Sequence, residues 1–141
     1  MLRYLKGIKM NQINTILKLN ALSCLLFGAL FVFMPETIIA FLADTSHMPK
    51  LVLVALGVML NLWGMLLIWL SNRDPLPNVL LLIVALGDFL WVVATVVLLL
   101  MQVWVNSSNG IAAAGLVAML VGWFGLQQFQ HYRNKKYGSV L

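Results

Sequence analysis

Four apolar stretches, each close to the length of a membrane-spanning helix, fill most of this 141-residue chain. They cover residues 17–34, 51–70, 79–104 and 111–129. A helix needs roughly 20 apolar residues to cross the hydrocarbon core of a bilayer. Charged residues make up 9% of the chain, against about a quarter in soluble domains. The sequence therefore predicts an all-α integral membrane protein, a four-transmembrane-helix antiparallel bundle, with residues 1–141 forming a single domain.

The basic residues are distributed unevenly between the two ends of the predicted bundle. Lys50 is the one basic residue on the far side, and the other eight of the nine lie on the side that holds both termini. Basic residues are enriched in cytoplasmic segments, so the termini are predicted to be cytoplasmic, in a bacterial inner membrane. Attraction to anionic lipids explains this charge, and we expect the lipid bilayer, not nucleic acid, as the partner. The eight are Arg3, Lys6, Lys9, Lys18, Arg73, Arg133, Lys135 and Lys136.

One acidic residue, Asp88, interrupts the third span. A carboxylate is costly to place in lipid, so it normally faces the bundle interior and marks a functional-site hypothesis. No Lys, Arg or His lies at its depth in any span. Burial without a counter-charge disfavours the ionised form, so we expect Asp88 to be neutral or readily protonated.

The polar link at residues 71–78 is short, so the second and third spans are predicted to be antiparallel neighbours. Asn61 lies ten residues before Ser71, and Asp88 lies ten residues after Asn78. Each is therefore about 15 Å from the link at 1.5 Å per residue. This count predicts that Asn61 and Asp88 face each other near the midplane.

Small and polar residues form stripes along three of the spans. Such stripes normally face a neighbouring helix, because they permit close backbone approach or need a partner away from lipid. In the third span, Asp88, Thr95 and Gln102 are spaced by seven. The fourth-span stripe is expected to pack within the bundle or against another copy of the chain. The stripe of the second span is Gly57, Asn61, Gly64, Ile68 and Ser71. The stripe of the fourth span is Gly115, Ala118, Gly122 and Gly125.

Three tryptophans, Trp63, Trp91 and Trp123, lie near the depth of Asp88. Two interpretations stay open. They are bulky packing residues whose indole N–H groups find hydrogen-bond partners, or they line a pocket with a carboxylate at its floor, which suits a lipophilic cation.

The segment before the first span is basic and amphipathic. We expect a short interfacial helix there, with Leu2, Leu5, Ile8, Ile13 and Ile16 on the inner leaflet, or else a disordered tail. Cys24 is the single cysteine, with no neighbouring ligand for a metal. No catalytic residues, metal or cofactor are predicted, and the chain is not expected to be an enzyme.

Two functional hypotheses from different classes remain. The first, which the sequence favours narrowly, is a non-catalytic accessory or scaffold bundle that forms homo-oligomers or binds a membrane protein partner. The second is proton-coupled binding or transport of a hydrophobic cation or lipid-like solute, centred on Asp88 with Asn61, Thr95 and the three tryptophans. The architecture is similar to that of the small multidrug resistance transporters, but their acid is a glutamate on the first helix, so the likeness is one of architecture alone.

Overall fold

The protein is described by a computed structural model that covers residues 2–45, 47–74 and 76–138, with side chains described between residues 12 and 134. These residues form five helices: α1 (Leu2–Phe33), α2 (Pro35–Leu42), α3 (Lys50–Ser71), α4 (Asn78–Met101) and α5 (Ser108–Gly138). All but α2 are long and apolar enough to cross a membrane. The predicted all-α membrane bundle is confirmed. We call the end with residues 72–77 and both termini the terminal end, and the end with residues 43–49 and 102–107 the far end.

The first helix is one continuous rod of 32 residues. It is about 48 Å long at 1.5 Å per residue, longer than the roughly 30 Å hydrocarbon core. The expected separate interfacial helix is therefore wrong, because the segment continues into the span without a break. Ile13 is buried in the protein core and does not lie on a leaflet. The side chains of Leu2, Leu5 and Ile8 lie outside the described part of the chain.

The helices pack as two pairs. The most extensive contacts join α1 to α3 and α4 to α5, and α1 also contacts α5. The second and third spans, α3 and α4, are predicted as antiparallel neighbours, but their backbones approach each other less closely than those of the two pairs do. A short link allows two helices to be adjacent but supplies no packing between them. A cluster of apolar side chains joins them at the terminal end: Ile13, Leu17, Ala21, Leu67, Leu70, Leu76, Leu81 and Val84.

Glycines explain why α1 pairs with α3. A Cβ added to Gly57 would lie 2.8 Å from the carbonyl oxygen of Gly28, closer than real Cβ atoms come. Gly64 lies against Leu25 in the same way. The α3 stripe thus faces α1, where missing side chains permit close backbone approach. Ile68 is the exception to the predicted stripe, because its side chain is exposed.

The stripe on α5 faces mainly α4. Ala118 is buried, and a Cβ on Gly122 or Gly125 would meet Val92 at 3.5 Å or Phe89 at 3.1 Å. Gly115 differs, because a Cβ there would meet no atom within 4 Å.

The far end of α4 departs from the prediction. The helix ends at Met101, and Gln102 follows in a left-handed conformation with φ 53°. Trp104 also has a positive φ, of 64°. Gln102 therefore terminates the helix and does not continue the face that carries Asp88 and Thr95.

The short helix α2 closes the far end of the bundle. Pro35 begins it, a position that proline favours because its missing N–H would be unpaired there. At its other end, the carbonyl of Leu42 accepts hydrogen bonds from the backbone N–H groups of Asn106 at 3.0 Å and Ser107 at 3.1 Å. The Asn106 side chain also accepts from the N–H of Asp44 at 2.7 Å. These bonds fasten α2 to the start of α5.

The glycine contact between α1 and α3 can be tested with two alanine substitutions. Gly57→Ala is expected to lower the free energy of unfolding by about 1–3 kcal/mol, the usual cost of overpacking. Gly115→Ala is the matched control, and it should be neutral or stabilise by up to about 1 kcal/mol through helix propensity. The measurement is denaturation in detergent followed by circular dichroism. Equal stability of the two variants would contradict the packing described here.

Candidate functional site

A cavity of about 590 Å³ lies between the α1/α3 pair and the α4/α5 pair. It exists because α3 and α4 are held together at the terminal end and at Trp63, and not beyond. Residues of α2 and the far-end loops, including Leu42, Met48 and Val105, lie at one end, and Asn20 and Asp88 lie at the other. Almost all other lining side chains are apolar. They include Phe27, Phe31, Leu56, Leu60, Leu98, Val117 and Val121.

Two of the side chains that line the cavity, one on α3 and one on α4, are themselves largely exposed. Met59 on α3 and Leu90 on α4 both line it, yet 53% and 69% of their surfaces are exposed. The gap between these two helices is therefore the candidate entrance for a hydrophobic molecule.

Two of the three predicted tryptophans line the cavity. Trp63 reaches from α3 to α4, where a Cβ on Gly87 would lie 2.6 Å from its ring. The glycine at position 87 therefore makes room for this indole. Trp91 lies one turn beyond Asp88, and its carbonyl accepts a hydrogen bond from the Thr95 hydroxyl at 2.8 Å. Thr95 lines the cavity as well.

The other two residues predicted for the site lie outside the cavity lining. Trp123 is about half exposed on α5 and packs against Phe124, with ring centroids 5.5 Å apart. Asn61 lies against Gly28, because a Cβ on that glycine would be 2.9 Å from the Asn61 side chain. Asn61 thus belongs to the α1/α3 contact.

The carboxylate at the floor takes its hydrogen bond from α1. The side-chain amide of Asn20 donates to Oδ2 of Asp88 at 2.7 Å, and the two residues are 1% and 4% exposed. The Cys24 thiol lies one turn further along α1 and contacts Oδ1 of Asn20 at 3.7 Å. Among the described residues, the ion pair is that between Lys50 and Glu36. Asp88 therefore has an amide as its partner and no cation.

Gln128 brings a second amide to Asp88, from α5. Its side chain is completely buried and lies beside the Asp88 carboxyl, although neither of its polar atoms meets the geometry of a hydrogen bond with a described residue. Gly125, one turn earlier, permits this approach, since a Cβ there would lie 3.2 Å from the Cβ of Asp88. Three helices thus each contribute one buried polar side chain to this cluster, of which Asn20 and Asp88 line the cavity and Gln128 lies behind them.

The sequence analysis identified Asp88 and missed both amides. Asn20 stands three residues into the first span, and Gln128 stands near the end of the fourth, where polar residues are expected at a membrane surface. The depth count was made along the link between α3 and α4. Counted from the ends of their own predicted spans, Asn20 and Gln128 lie nearer the terminal end than Asp88 does, and only the packed helices bring them to it.

Comparisons of this chain with protein-family models, with curated proteins and with solved structures each find no match. No residue role can therefore be transferred from a relative. Among the described residues, no group of three His, Cys, Asp or Glu side chains is arranged to hold a metal ion. The chemistry that the floor offers is that of one carboxyl group and its amide partner Asn20 at the end of an apolar cavity, with the Gln128 amide behind the carboxyl.

A double-mutant cycle tests which asparagine is the partner of Asp88. Asn20→Ala leaves a buried carboxyl without its hydrogen bond, so we expect a loss of about 1–3 kcal/mol in the free energy of unfolding. The combination with Asp88→Ala should show coupling above about 0.5 kcal/mol, whereas Asn61→Ala and Asp88→Ala should be additive. Detergent denaturation followed by circular dichroism gives all the values. Stronger coupling of Asn61 than of Asn20 to Asp88 would contradict the assigned pair.

Proposed function

We propose that this protein binds a hydrophobic solute carrying one cationic or polar group, taken from the bilayer, in the cavity above Asp88. The observation that supports this function best is the apolar cavity of about 590 Å³ that ends on a buried carboxyl group. Small-molecule sites have this character, with apolar walls and a few polar groups that fix the orientation of the ligand. The volume also lies within their usual range of about 300–1,000 Å³.

The walls and the floor favour different parts of such a solute. The apolar side chains of all five helices accommodate a hydrocarbon or aromatic portion. Trp63 and Trp91 lie next to the floor and offer ring faces, to which cations are attracted. Because Asp88 has no cationic partner in the described part of the chain, a cationic group on the solute would provide the missing counter-charge.

Binding of a cation at this floor is coupled to a proton. A cation next to Asp88 favours the ionised carboxylate over the neutral acid. A solute that binds the ionised form therefore releases the proton of the neutral form, and acidification promotes release of the solute. This linkage is the basis for proton-coupled binding or transport.

The membrane orientation is part of the proposal. Eight of the nine Lys and Arg residues lie at the terminal end, and the positive-inside rule makes that end cytoplasmic. The protein is then an inner-membrane protein of bacterial type with both termini in the cytoplasm. The cavity lies in the outer half of the bilayer.

The coupling is tested by tryptophan fluorescence in detergent across pH, with and without dodecyltrimethylammonium. We expect a pH transition that the cation shifts to lower pH, because bound cation stabilises the carboxylate. Asp88→Asn should abolish the transition and the response to the cation. Asp74→Asn, which removes an exposed carboxylate in the link before α4, is the control and should leave both intact. A profile that is flat and unchanged by the cation in the wild-type protein would rule out the proposed site.

Occupation of the cavity is tested by filling it. Ala114 lines the cavity and Ala112 does not, although both lie in the same turn of α5. Ala114→Phe is expected to weaken binding of the cation at least tenfold, about 1.4 kcal/mol, by occupying the space of the solute. Ala112→Phe adds the same ring on the exposed side and should bind as the wild type does. Isothermal titration calorimetry measures both affinities, and equal weakening would contradict binding in the cavity.

An accessory role as a self-associating or partner-binding bundle is the second candidate. One observation favours it: Gly115 offers a small-residue position on the surface of α5 with open space around it. If α5 forms the contact, Gly115→Leu should abolish chemical cross-linking of the protein in membranes, while Asp88→Asn should leave it unchanged. Cross-linking that persists in Gly115→Leu would remove the support for this role.

A further inference from the structure

A second, polar opening lies at the terminal end of the bundle. It is a groove of about 130 Å³ between α1 and α5. Its surface contrasts with that of the main cavity, because most of its side chains are amides or imidazole. The lining residues are Gln12, Ile13, Ile16, Gln127, Gln130, His131 and Asn134.

Gln128 lies between this groove and Asp88. His131 of the groove follows Gln128 by three residues on α5, so the two side chains are neighbours on one face of the helix, with Cβ atoms roughly 5–6 Å apart. On its other side, Gln128 lies beside the Asp88 carboxyl. Gln128 therefore has the groove residue His131 on one side and Asp88 on the other, and its side chain is completely buried.

Neither polar atom of the Gln128 carboxamide meets full hydrogen-bond geometry with a described residue, although the side chain lies beside the Asp88 carboxyl. A buried amide without a partner costs free energy, and buried water molecules usually satisfy such groups with two to four hydrogen bonds. A water molecule at Gln128 would have the Asp88 carboxyl within reach on one side and the groove on the other. A water molecule in this position could transfer a proton between the groove and the Asp88 carboxyl.

The main cavity offers no comparable route. Its polar lining residues other than those of the floor are Ser23 and Thr95, and each hydroxyl is already bonded to a carbonyl of its own helix, that of Leu19 or Trp91. Water that entered between α3 and α4 would meet apolar side chains until it reached the floor.

We propose that Gln128 holds a buried water molecule through which Asp88 exchanges its proton with the aqueous phase at the terminal end. The solute and the proton then reach Asp88 from different directions: the solute from the bilayer through the main cavity, and the proton through the groove. This inference deepens the proposed function, because it assigns the side from which the coupling proton comes.

Among the residues whose side chains the structure describes, few titratable groups lie around this route. Cys24 on α1 lies near Asp88, on the far side of Asn20. The neighbour from α3 is Trp63, which does not titrate, and the neighbour from α5 is Gln128. His131 is the titratable group of the groove, and Tyr132 follows it on α5.

The test measures hydrogen–deuterium exchange of the Asp88 carboxyl by infrared spectroscopy, without any solute. The C=O band of the protonated acid is identified as the band that Asp88→Asn removes, and its shift is followed after mixing with D₂O. Gln128→Leu should slow the exchange at least about tenfold, because the loss of one hydrogen-bonded step raises the barrier to proton transfer. Thr95→Val, the matched control on the cavity side, should leave the rate within about twofold of the wild-type rate.

Each outcome decides the proposal. An unchanged rate in Gln128→Leu, an equal slowing in Thr95→Val, or no Asp88 band at any pH at which the protein is folded would overturn it. If Gln128→Leu does not fold, His131→Phe tests the same route from the groove and should also slow the exchange, whereas an unchanged rate there would overturn the route. Because the experiment uses no solute, slowed exchange together with failed cation binding would refute the proposed function and leave the proton route standing.

Discussion

The hydrogen bond from Asn20 to Asp88 joins the two helix pairs at the depth where the apolar core of the terminal end gives way to the cavity. A polar group in lipid must find its partner within the protein, because neither lipid nor water supplies one there. Asp88 lies on α4 and Asn20 on α1, so the bond joins the two pairs at the same depth as the contact of Trp63 with Gly87. Without it, the carboxyl would face the apolar cavity without its Asn20 partner.

The cavity follows from how the remaining contacts are distributed. Gly28 and Gly57 bring α1 and α3 into close contact, and Gly125 lets α5 approach α4. Each helix thus spends its small residues on one neighbour. The surfaces of α3 and α4 that face each other carry large side chains. Between Trp63 and the far end, these two surfaces remain apart. The bonds from Leu42 to the start of α5 then close the far end without filling the space.

The floor and the two openings divide the molecule by polarity. The main cavity is apolar, while the groove between α1 and α5 is polar and lies at the end with the basic residues. Gln128, buried and beside Asp88, lies between them. Two features motivate the proposed function: a buried carboxyl with no cationic partner among the described residues, and a second buried amide beside it.

The sequence by itself determined the class of the protein, the number of its spans and the central position of Asp88. These follow from the length and hydrophobicity of single segments, and a bilayer imposes the same demands on every helix separately. Only the tertiary structure decided which amide meets Asp88. Asn61 and Asn20 are both polar residues in apolar spans, and the short link favoured Asn61. The choice depends on which helices pair, and that is decided by the fit of Gly28 against Gly57, a contact between surfaces about thirty residues apart in the chain. Shape complementarity of this kind is a property of two packed helices and is not visible in either one alone.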